Sequence, residues 1–510
     1  MVKHEALRLA LRAARDDDFE ALYRAGVAAT GAGLYEHARD RIAPLVHGAA
    51  ASEARLWQVL GLAQRGLQQG LEAFAAFRRA AALAPDDGLI AHSHARTALE
   101  AGYDALELFE RARALRPGDG AVILGQAAAR LAAGHAGQAL ADLAALLAAN
   151  PGWIDGHTTY AKLAAVAGVA QDAFVTLDAA VARSPRGRDL HRARINLCME
   201  ADDHAAARRA VEAARAALGS SAELDETLAI ALSEAGESAA AQSIFDRLGG
   251  PANASMAVWR VRSLIRAEEY LQAASLAETL WPQSQDQLLW PYRGLLWRLT
   301  GDPRWNWLEG DERLVGIYDI SEAVGPLDRL ARCLRPLHYD GGQPLDQSLR
   351  GGSQTDGVLL ARGEPEIRRL RNAIVAAVER HVAQLPPAVA DHPTLTEQRE
   401  PVRLAGSWSV RLSGAGFHID HVHPQGWLSS AFYVALPAGL NDAGMDPQAG
   451  WLAFGENRAL VPDLAAFRMV EPRPGRLVLF PSTMWHGTRP FASGERLTVA
   501  FDVARPVAIR

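Results

Sequence analysis

Residues 1–300 carry an apolar pattern that repeats at the length of a helical hairpin. Proline ends a helix because it lacks a backbone N–H and clashes with the preceding turn. A period of about 34 residues is typical of repeats made of two helices. The pattern therefore predicts about seven to nine stacked hairpins, beginning with a less regular cap. Alanine-rich helical segments end at four prolines spaced 32, 34 and 34 residues apart, namely Pro85, Pro117, Pro151 and Pro185.

One copy of the repeat indicates how the two helices of a hairpin pack. Alanine and glycine stand where antiparallel helices approach closely, and a larger side chain fills the space between them. These positions resemble the tetratricopeptide repeat. The resemblance implies a superhelix whose concave groove holds an extended peptide or a partner protein, or whose repeats serve only homodimer formation or spacing. The matching positions are Trp57, Leu60, Gly61, Ala73, Phe77, Ala80 and Pro85.

Beyond residue 300 the regular repeat ends. Residues 301–400 are predicted to form a junction and supporting helices, of which the clearest is an amphipathic helix over residues 364–385. Residues 401–510 show short runs of alternating apolar and polar positions, which predict an antiparallel barrel or jelly roll. The chain is therefore expected to be a multidomain α + β protein with an all-α solenoid at residues 1–300.

The first two predicted strands of residues 401–510 enclose a turn. Alternation predicts a strand at Ser407–Leu412, a glycine-containing turn at Ser413–Gly416 and a second strand at Phe417–His423. The second strand contains three histidines. Because side chains two positions apart in a strand face the same side, a pair of them can bind one metal ion.

Composition and charge are those of a globular protein. Hydrophobic residues make up 49% and charged residues 22% of the 510 residues, and the formal net charge is −6. The lack of a long basic tract argues against nucleic-acid binding, and no apolar run is long enough for a signal peptide or a membrane span. Cys198 and Cys333 lie far apart, so a disulfide framework is not expected. We expect a cytoplasmic protein that binds neither nucleic acid nor a membrane.

Three segments of the C-terminal region resemble a known enzyme superfamily. They are GFHIDHVHPQGWLSSAFYVALP, PGRLVLFPSTMWHGTRPF and ERLTVAFDV. They are similar to the double-stranded β-helix core of iron(II)- and 2-oxoglutarate-dependent oxygenases, in particular the bacterial and phage branch with a His-x-His-Pro motif. The upstream segment Pro344–Thr355 is also similar to this branch. The resemblance covers residues 330–510 and implies a jelly-roll enzyme with flanking helices that uses Fe(II), 2-oxoglutarate and O2.

Two sets of metal ligands are consistent with the sequence. Ferrous iron in such enzymes takes three protein ligands on one face, which leaves three positions for co-substrate and dioxygen. The general triad of two histidines and a carboxylate would be His418, Asp420 and His486. The branch motif instead aligns its paired histidines with His421 and His423, again with His486 as the third ligand. The resemblance favours this second set, with His418 and Asp420 as outer partners that orient a ligand.

Arg496 is the residue expected to hold 2-oxoglutarate. A guanidinium binds a carboxylate through two parallel hydrogen bonds, a task that lysine performs less specifically. Thr498 lies two residues along the same strand and can donate its hydroxyl to that carboxylate. Tyr433 on a neighbouring strand is a further candidate for this pocket, or a core residue. The glycine-rich segment that contains Arg350 and Gln354 either packs under the barrel or brings these two side chains to the substrate mouth.

The resemblance implies a dioxygenase that couples the oxidative decarboxylation of 2-oxoglutarate, which yields succinate and carbon dioxide, to hydroxylation of a substrate. The repeat groove makes a peptide or protein side chain the expected substrate. Two alternatives stay open. The same chemistry could act on a small or carrier-bound molecule with the repeats used for assembly, or the chain could be a scaffold without turnover.

Overall fold

Helical hairpins occupy the N-terminal part of the chain. A computed structural model describes residues 2–250, 254–284, 287–339, 349–438, 440 and 446–506. Its first seventeen described helices are α1 Val2–Ala13, α2 Phe19–Gly31, α3 Tyr35–Val46, α4 Ala54–Gly66, α5 Gly70–Leu83, α6 Gly88–Glu100, α7 Leu106–Leu115, α8 Gly120–Ala132, α9 Ala136–Ala149, α10 Ile154–Val166, α11 Val175–Arg183, α12 Arg188–Glu200, α13 His204–Leu218, α14 Ala222–Glu234, α15 Ser238–Leu248, α16 Ala254–Arg266 and α17 Tyr270–Ser284. After α1, they pair into eight hairpins, from α2–α3 to α16–α17.

The hairpins form where the sequence places small residues opposite large ones. Phe77 is fully buried, and its ring fills the space over Gly61, where an added Cβ atom would lie 2.6 Å from the ring. The prediction of an N-terminal tetratricopeptide-like solenoid is confirmed. The helices that precede the four regularly spaced prolines each end two residues earlier, at Leu83, Leu115, Ala149 and Arg183.

Each of the eight hairpins turns through one residue with a left-handed backbone. Glycine adopts this conformation readily, whereas other residues are strained in it. Five of the eight turns use glycine and three use a polar residue instead. The left-handed residues are Gly33, Gln68, Gly102, Gly134, Gly168, Asp202, Gly236 and Glu268.

The C-terminal part of the chain adds five helices and nine strands among the described residues. The helices are α18 Trp290–Thr300, α19 Arg304–Glu309, α20 Ser321–Val324, α21 Leu327–Leu334 and α22 Pro365–Gln384. The strands are β1 Gly316–Asp319, β2 Leu349–Gln354, β3 Leu404–His418, β4 Gly426–Ala435, β5 Leu452–Phe454, β6 Arg468–Val470, β7 Arg476–Pro481, β8 His486–Thr488 and β9 Glu495–Ala504.

The strands form two antiparallel sheets. One sheet has the strand order β1-β7-β4-β9-β3-β2, and the other has the order β6-β5-β8. The predicted amphipathic helix is α22, whose apolar side packs in the same core as the six-stranded sheet. The prediction of a C-terminal β-sheet domain with flanking helices is confirmed. Strands β1 and β2 also belong to the large sheet, although both precede residue 401. The sequence did not predict them, because they are too short to show a clear alternation of apolar and polar positions.

The predicted turn at Ser413–Gly416 was wrong, because β3 continues through it. Leu412 pairs with Gly352 and Phe417 pairs with Arg350, so the residues between them bulge out opposite Gly351, which has a φ of 72°. The predicted second strand stops at His418 rather than His423. Residues 344–348 of the upstream motif lie outside the described residues.

Several hairpin turns of the solenoid lie directly against the C-terminal domain. The contacts include both backbone and side-chain hydrogen bonds, so the two parts pack together along one edge of the solenoid. Among the described helices, none is both long enough and apolar enough to cross a membrane. The contacts are Gln68 Nε2 to Leu404 O at 2.9 Å, Gly363 N to Ala101 O at 3.0 Å and Arg350 to Asp202 at 2.7 Å.

Candidate metal centre

A backbone bridge brings two distant histidines face to face. His421 follows the end of β3, and His486 is the first residue of β8. The N–H of His421 donates to the carbonyl of His486 at 2.9 Å, and the N–H of His486 donates back at 3.0 Å. Their ring centroids are 4.3 Å apart. This bridge, rather than strand periodicity, positions His421, because the regular strand has already ended at His418.

The ring of His423 completes a cluster of three imidazoles. Its centroid lies 5.0 Å from that of His421 and 5.4 Å from that of His486. One ring nitrogen from each of the three lies within 4.8 Å of the others, which is close enough for one metal ion. Among the described residues, these three histidines are the one group of three or more His, Cys, Asp or Glu side chains whose ligand atoms lie this close together.

Each of the three rings is anchored through Nδ1. The acceptors are the carbonyl of Ile419 at 2.8 Å for His421, a carboxylate oxygen of Asp502 at 2.8 Å for His423, and the carbonyl of Met484 at 3.0 Å for His486. A ring nitrogen beside an acceptor carries the proton. Each Nε2 therefore keeps its lone pair, as a metal ligand requires.

Burial keeps the rings of His421 and His486 neutral. Desolvation and the neighbouring His423 lower the pKa of His421 to about 4. Desolvation, together with His421, holds the pKa of His486 well below its usual range. A neutral imidazole binds a metal ion without first losing a proton, so the low pKa values suit a metal site near neutral pH.

Asp502 is a site residue that the sequence reasoning missed. In addition to His423, its carboxylate accepts a hydrogen bond from the Ser429 hydroxyl at 2.6 Å, and Ser429 also contacts Ser482 at 2.9 Å. A carboxylate behind a histidine fixes the orientation of the ring and raises its basicity. The signal was available, because Asp502 lies six residues after Arg496 in β9 and therefore faces the same side of the strand.

The carboxylate of Asp420 is bound by Arg458 rather than by the imidazole cluster. The backbone N–H and Nε of Arg458 both donate to Oδ2 at 2.9 Å, and a terminal guanidinium nitrogen donates to Oδ1 at 3.0 Å. The side chain of Asp420 is buried in this pairing. His418, the other member of the alternative pair, stacks on His421 with centroids 5.8 Å apart.

Arg496 is buried without an acidic partner. Its side chain is 2% exposed, and no carboxylate of the described residues forms an ion pair with it. Its guanidinium lies 5.1 Å from the ring centroid of the fully buried Tyr433, whose hydroxyl has no hydrogen-bond partner within the described part of the chain. Burial lowers the pKa of Arg496 and raises the pKa of Tyr433. An unpaired buried cation is costly, so this arrangement favours an anionic ligand.

The clustered histidines and Arg496 open into one cavity of about 750 Å³. Thr498 lies on its wall, and Arg350 and Gln354 also line it. Three further lining residues come from the solenoid, which the sequence did not predict. These are Met199 and Glu200 at the end of α12 and Asp202 in the following turn.

Comparison with known protein families finds one match in the region around this cavity. Residues 406–502 match the model of the family described as "Putative 2OG-Fe(II) oxygenase". The matched segment contains the three clustered histidines, Arg496 and Asp502. The match supports an oxygenase that uses iron and 2-oxoglutarate. No curated protein matches the chain.

Similar solved structures each cover less than half of this chain. A prolyl-4-hydroxylase from Pseudomonas putida is 19% identical, covers 38% of this chain and 92% of its own, and has a TM-score of 0.25. HygX from Streptomyces hygroscopicus, with nickel and 2-oxoglutarate bound, is 13% identical, with coverages of 38% and 82% and a TM-score of 0.26. A tetratricopeptide repeat protein from Parabacteroides merdae is 14% identical, with coverages of 45% and 91% and a TM-score of 0.33. These scores are too low to support an argument.

Proposed function

We propose that the chain is an iron(II)- and 2-oxoglutarate-dependent dioxygenase whose metal is held by His421, His423 and His486. The observation that carries the proposal is the anchoring of all three rings through Nδ1, which leaves three Nε2 atoms for one ion. The family match over residues 406–502 supports the same chemistry. Three imidazoles leave three positions of an octahedral iron for co-substrate and dioxygen.

The choice of three histidines over the set with Asp420 follows from the partners of that carboxylate. Both of its oxygens accept hydrogen bonds from Arg458, and moving the carboxylate to a metal would break these three bonds. The carboxylate at this centre is that of Asp502, which acts on His423 and not on the metal itself. Asp420 thus holds the segment that carries His421, through Arg458.

Arg496 and Thr498 are the proposed binding groups for 2-oxoglutarate. A dicarboxylate supplies the anion that the buried guanidinium of Arg496 otherwise lacks, and a guanidinium can bind a carboxylate in bidentate fashion. Thr498 lines the same cavity on the same strand and can donate a hydroxyl. Tyr433 lies against the guanidinium and is the third proposed contact.

Bound iron would supply an oxidative decarboxylation in which one atom of dioxygen enters succinate, with release of carbon dioxide, and the other atom enters the substrate. The residues of this chain hold the three ligand rings in a fixed orientation, and they keep the co-substrate carboxylate away from bulk water. Hydroxylation of a peptide or protein side chain is the proposed outcome. Solenoid residues form part of the cavity wall, so a peptide bound by the repeats would lie next to the proposed metal ion. This arrangement favours a peptide substrate over a small molecule.

The test is succinate formation by the full-length protein supplied with Fe(II), 2-oxoglutarate and oxygen. We expect succinate to form, and to form faster when a peptide substrate is present. The matched control is His486→Ala, which removes one proposed ligand. Equal succinate formation by the wild type and this variant would rule out the proposed centre, whereas no succinate from either protein would leave the scaffold as the better account.

A further inference from the structure

The sixth hairpin turn of the solenoid differs from most of the others. Five turns use glycine at the left-handed position, but this turn uses Asp202, with a φ of 58°. A residue other than glycine is disfavoured there. A substitution by glycine is therefore compatible with the backbone, which indicates that the carboxylate at this position serves a purpose other than folding the turn.

The carboxylate of Asp202 links the solenoid to the C-terminal domain. One oxygen accepts a hydrogen bond from Arg350 of β2 at 2.7 Å, and the other contacts His204 Nε2 at 2.9 Å. Arg350 pairs in the sheet with Phe417, the residue before His418. The contact therefore spans from a repeat to the strand that leads into the metal centre.

The same turn forms part of the cavity wall. Asp202 and the last two residues of its first helix, Met199 and Glu200, line the cavity together with Arg350 and the clustered histidines. The first helices of three successive hairpins pack in a row, with α8 against α10 and α10 against α12. An extended peptide bound along this row of helices would reach the cavity at the end of α12.

We propose that the sixth hairpin turn is part of the substrate-binding site, and that an extended peptide lies between the Asp202–Arg350 pair and the metal centre. This inference rests on the proposed function. Asp202 is a positioning residue, because it holds Arg350 at the mouth of the cavity. Asp202 and Arg350 together determine which substrate residues are accepted next to the side chain that is oxidised.

The structure supplies a matched set of variants for the full-length protein. Asp202→Gly removes the carboxylate and places glycine where five other turns have it, so the thermal midpoint is expected to be equal or higher. Arg350→Gln removes the other half of the pair and leaves the turn unchanged. The control is Glu268→Gly, which makes a similar change at the left-handed position of the eighth turn. Glu268 is exposed and is not among the described residues that line the cavity.

The probe is a synthetic library of short peptides with one oxidisable side chain at the centre and varied flanking residues. The readout is the gain of one oxygen atom by mass spectrometry, followed by KM and kcat for the best peptides. We expect Asp202→Gly and Arg350→Gln to lose selectivity at the same flanking position. Their KM should rise about five- to ten-fold, with the loss falling on KM rather than kcat. Glu268→Gly should match the wild type.

Two results would overturn the inference while leaving the oxygenase intact. One is wild-type selectivity and KM in both Asp202→Gly and Arg350→Gln. The other is a wild-type protein that forms succinate but oxidises none of the peptides. If the wild type neither binds Fe(II) nor forms succinate, the proposed function itself is wrong, and that failure is recognised before any peptide is added.

Discussion

The solenoid and the metal centre are built in opposite ways. Each hairpin repeats a local unit, so partners such as Gly61 and Phe77 come from the same repeat. The metal centre instead joins residues 421–423 to His486 and Asp502, and the solenoid supplies one wall of its cavity. A repeated structure tolerates the loss of one contact, whereas each group of the centre has a separate task. Substitutions at the centre should therefore affect activity far more than substitutions elsewhere.

The largest effect is expected from His423→Gln. The substitution removes a proposed ligand whose Nδ1 is held by Asp502, so the metal should no longer be retained in a reactive geometry. We expect succinate formation to fall by at least about a thousandfold. The measurement is succinate release from the full-length variant, with circular dichroism to show that the fold is kept.

Asp420→Asn is the matched control for this comparison of ligand sets. Asparagine keeps one oxygen acceptor for Arg458, and Asp420 is not one of the proposed metal ligands. The variant should lose stability but keep most of its Fe(II) affinity. A loss of metal binding as large as that of His423→Gln would show that the carboxylate is a ligand.

The next largest effect is expected from Arg496→Met. The variant lacks the proposed partner of the 2-oxoglutarate carboxylate, so the KM for 2-oxoglutarate should rise about a hundredfold. The free energy of unfolding without co-substrate should stay equal or increase, because an unpaired buried charge is replaced by an apolar side chain. An unchanged KM would place the co-substrate elsewhere.

Much of the fold, but less of the site, could be predicted from the sequence. Local periodicity was enough for the hairpins, because prolines and small residues recur in each repeat. The bulge inside β3 was missed because glycine residues are common in turns, so the sequence predicted a turn there. The pairing of β3 with β2 on both sides of Gly351 is what shows a continuous strand. The contacts of Asp502, Arg458 and Asp202 depend on residues far away in sequence, and no local pattern encodes such partners.

A smaller effect is expected from Asp502→Asn. The amide can no longer offer a charged acceptor to Nδ1 of His423, so the ring loses basicity and orientation. We expect the affinity for Fe(II) to fall about 10- to 100-fold, measured by competition with a chelator. Ser429→Ala removes only a hydrogen bond to the same carboxylate and should weaken binding less. Equal affinities for all three proteins would contradict this role.

The smallest effect concerns stability at the junction between the two regions. Burial raises the pKa of Glu309 in α19 to about 7, although Trp305 donates a hydrogen bond to it at 3.0 Å. In the unfolded chain this carboxyl ionises near its ordinary value, so the folded state loses stability as the pH rises from about 4.5 to about 7.

Glu309→Gln should remove this pH dependence. At pH 8 the variant should be more stable than the wild type by about 2–3 kcal/mol, and the difference should vanish as the pH falls to about 4. Chemical denaturation at a series of pH values measures it. A difference that stays constant over this range would show that Glu309 does not titrate in the folded state.

A diffraction structure of the full-length protein with Fe(II) and N-oxalylglycine, in which anomalous scattering locates the metal, would show the ligand set itself. The account predicts one ion bound by Nε2 of His421, His423 and His486, with Asp420 still paired to Arg458 and the carboxylate of the inhibitor on Arg496. An ion bound by Asp420, or one that does not contact His423, would contradict it.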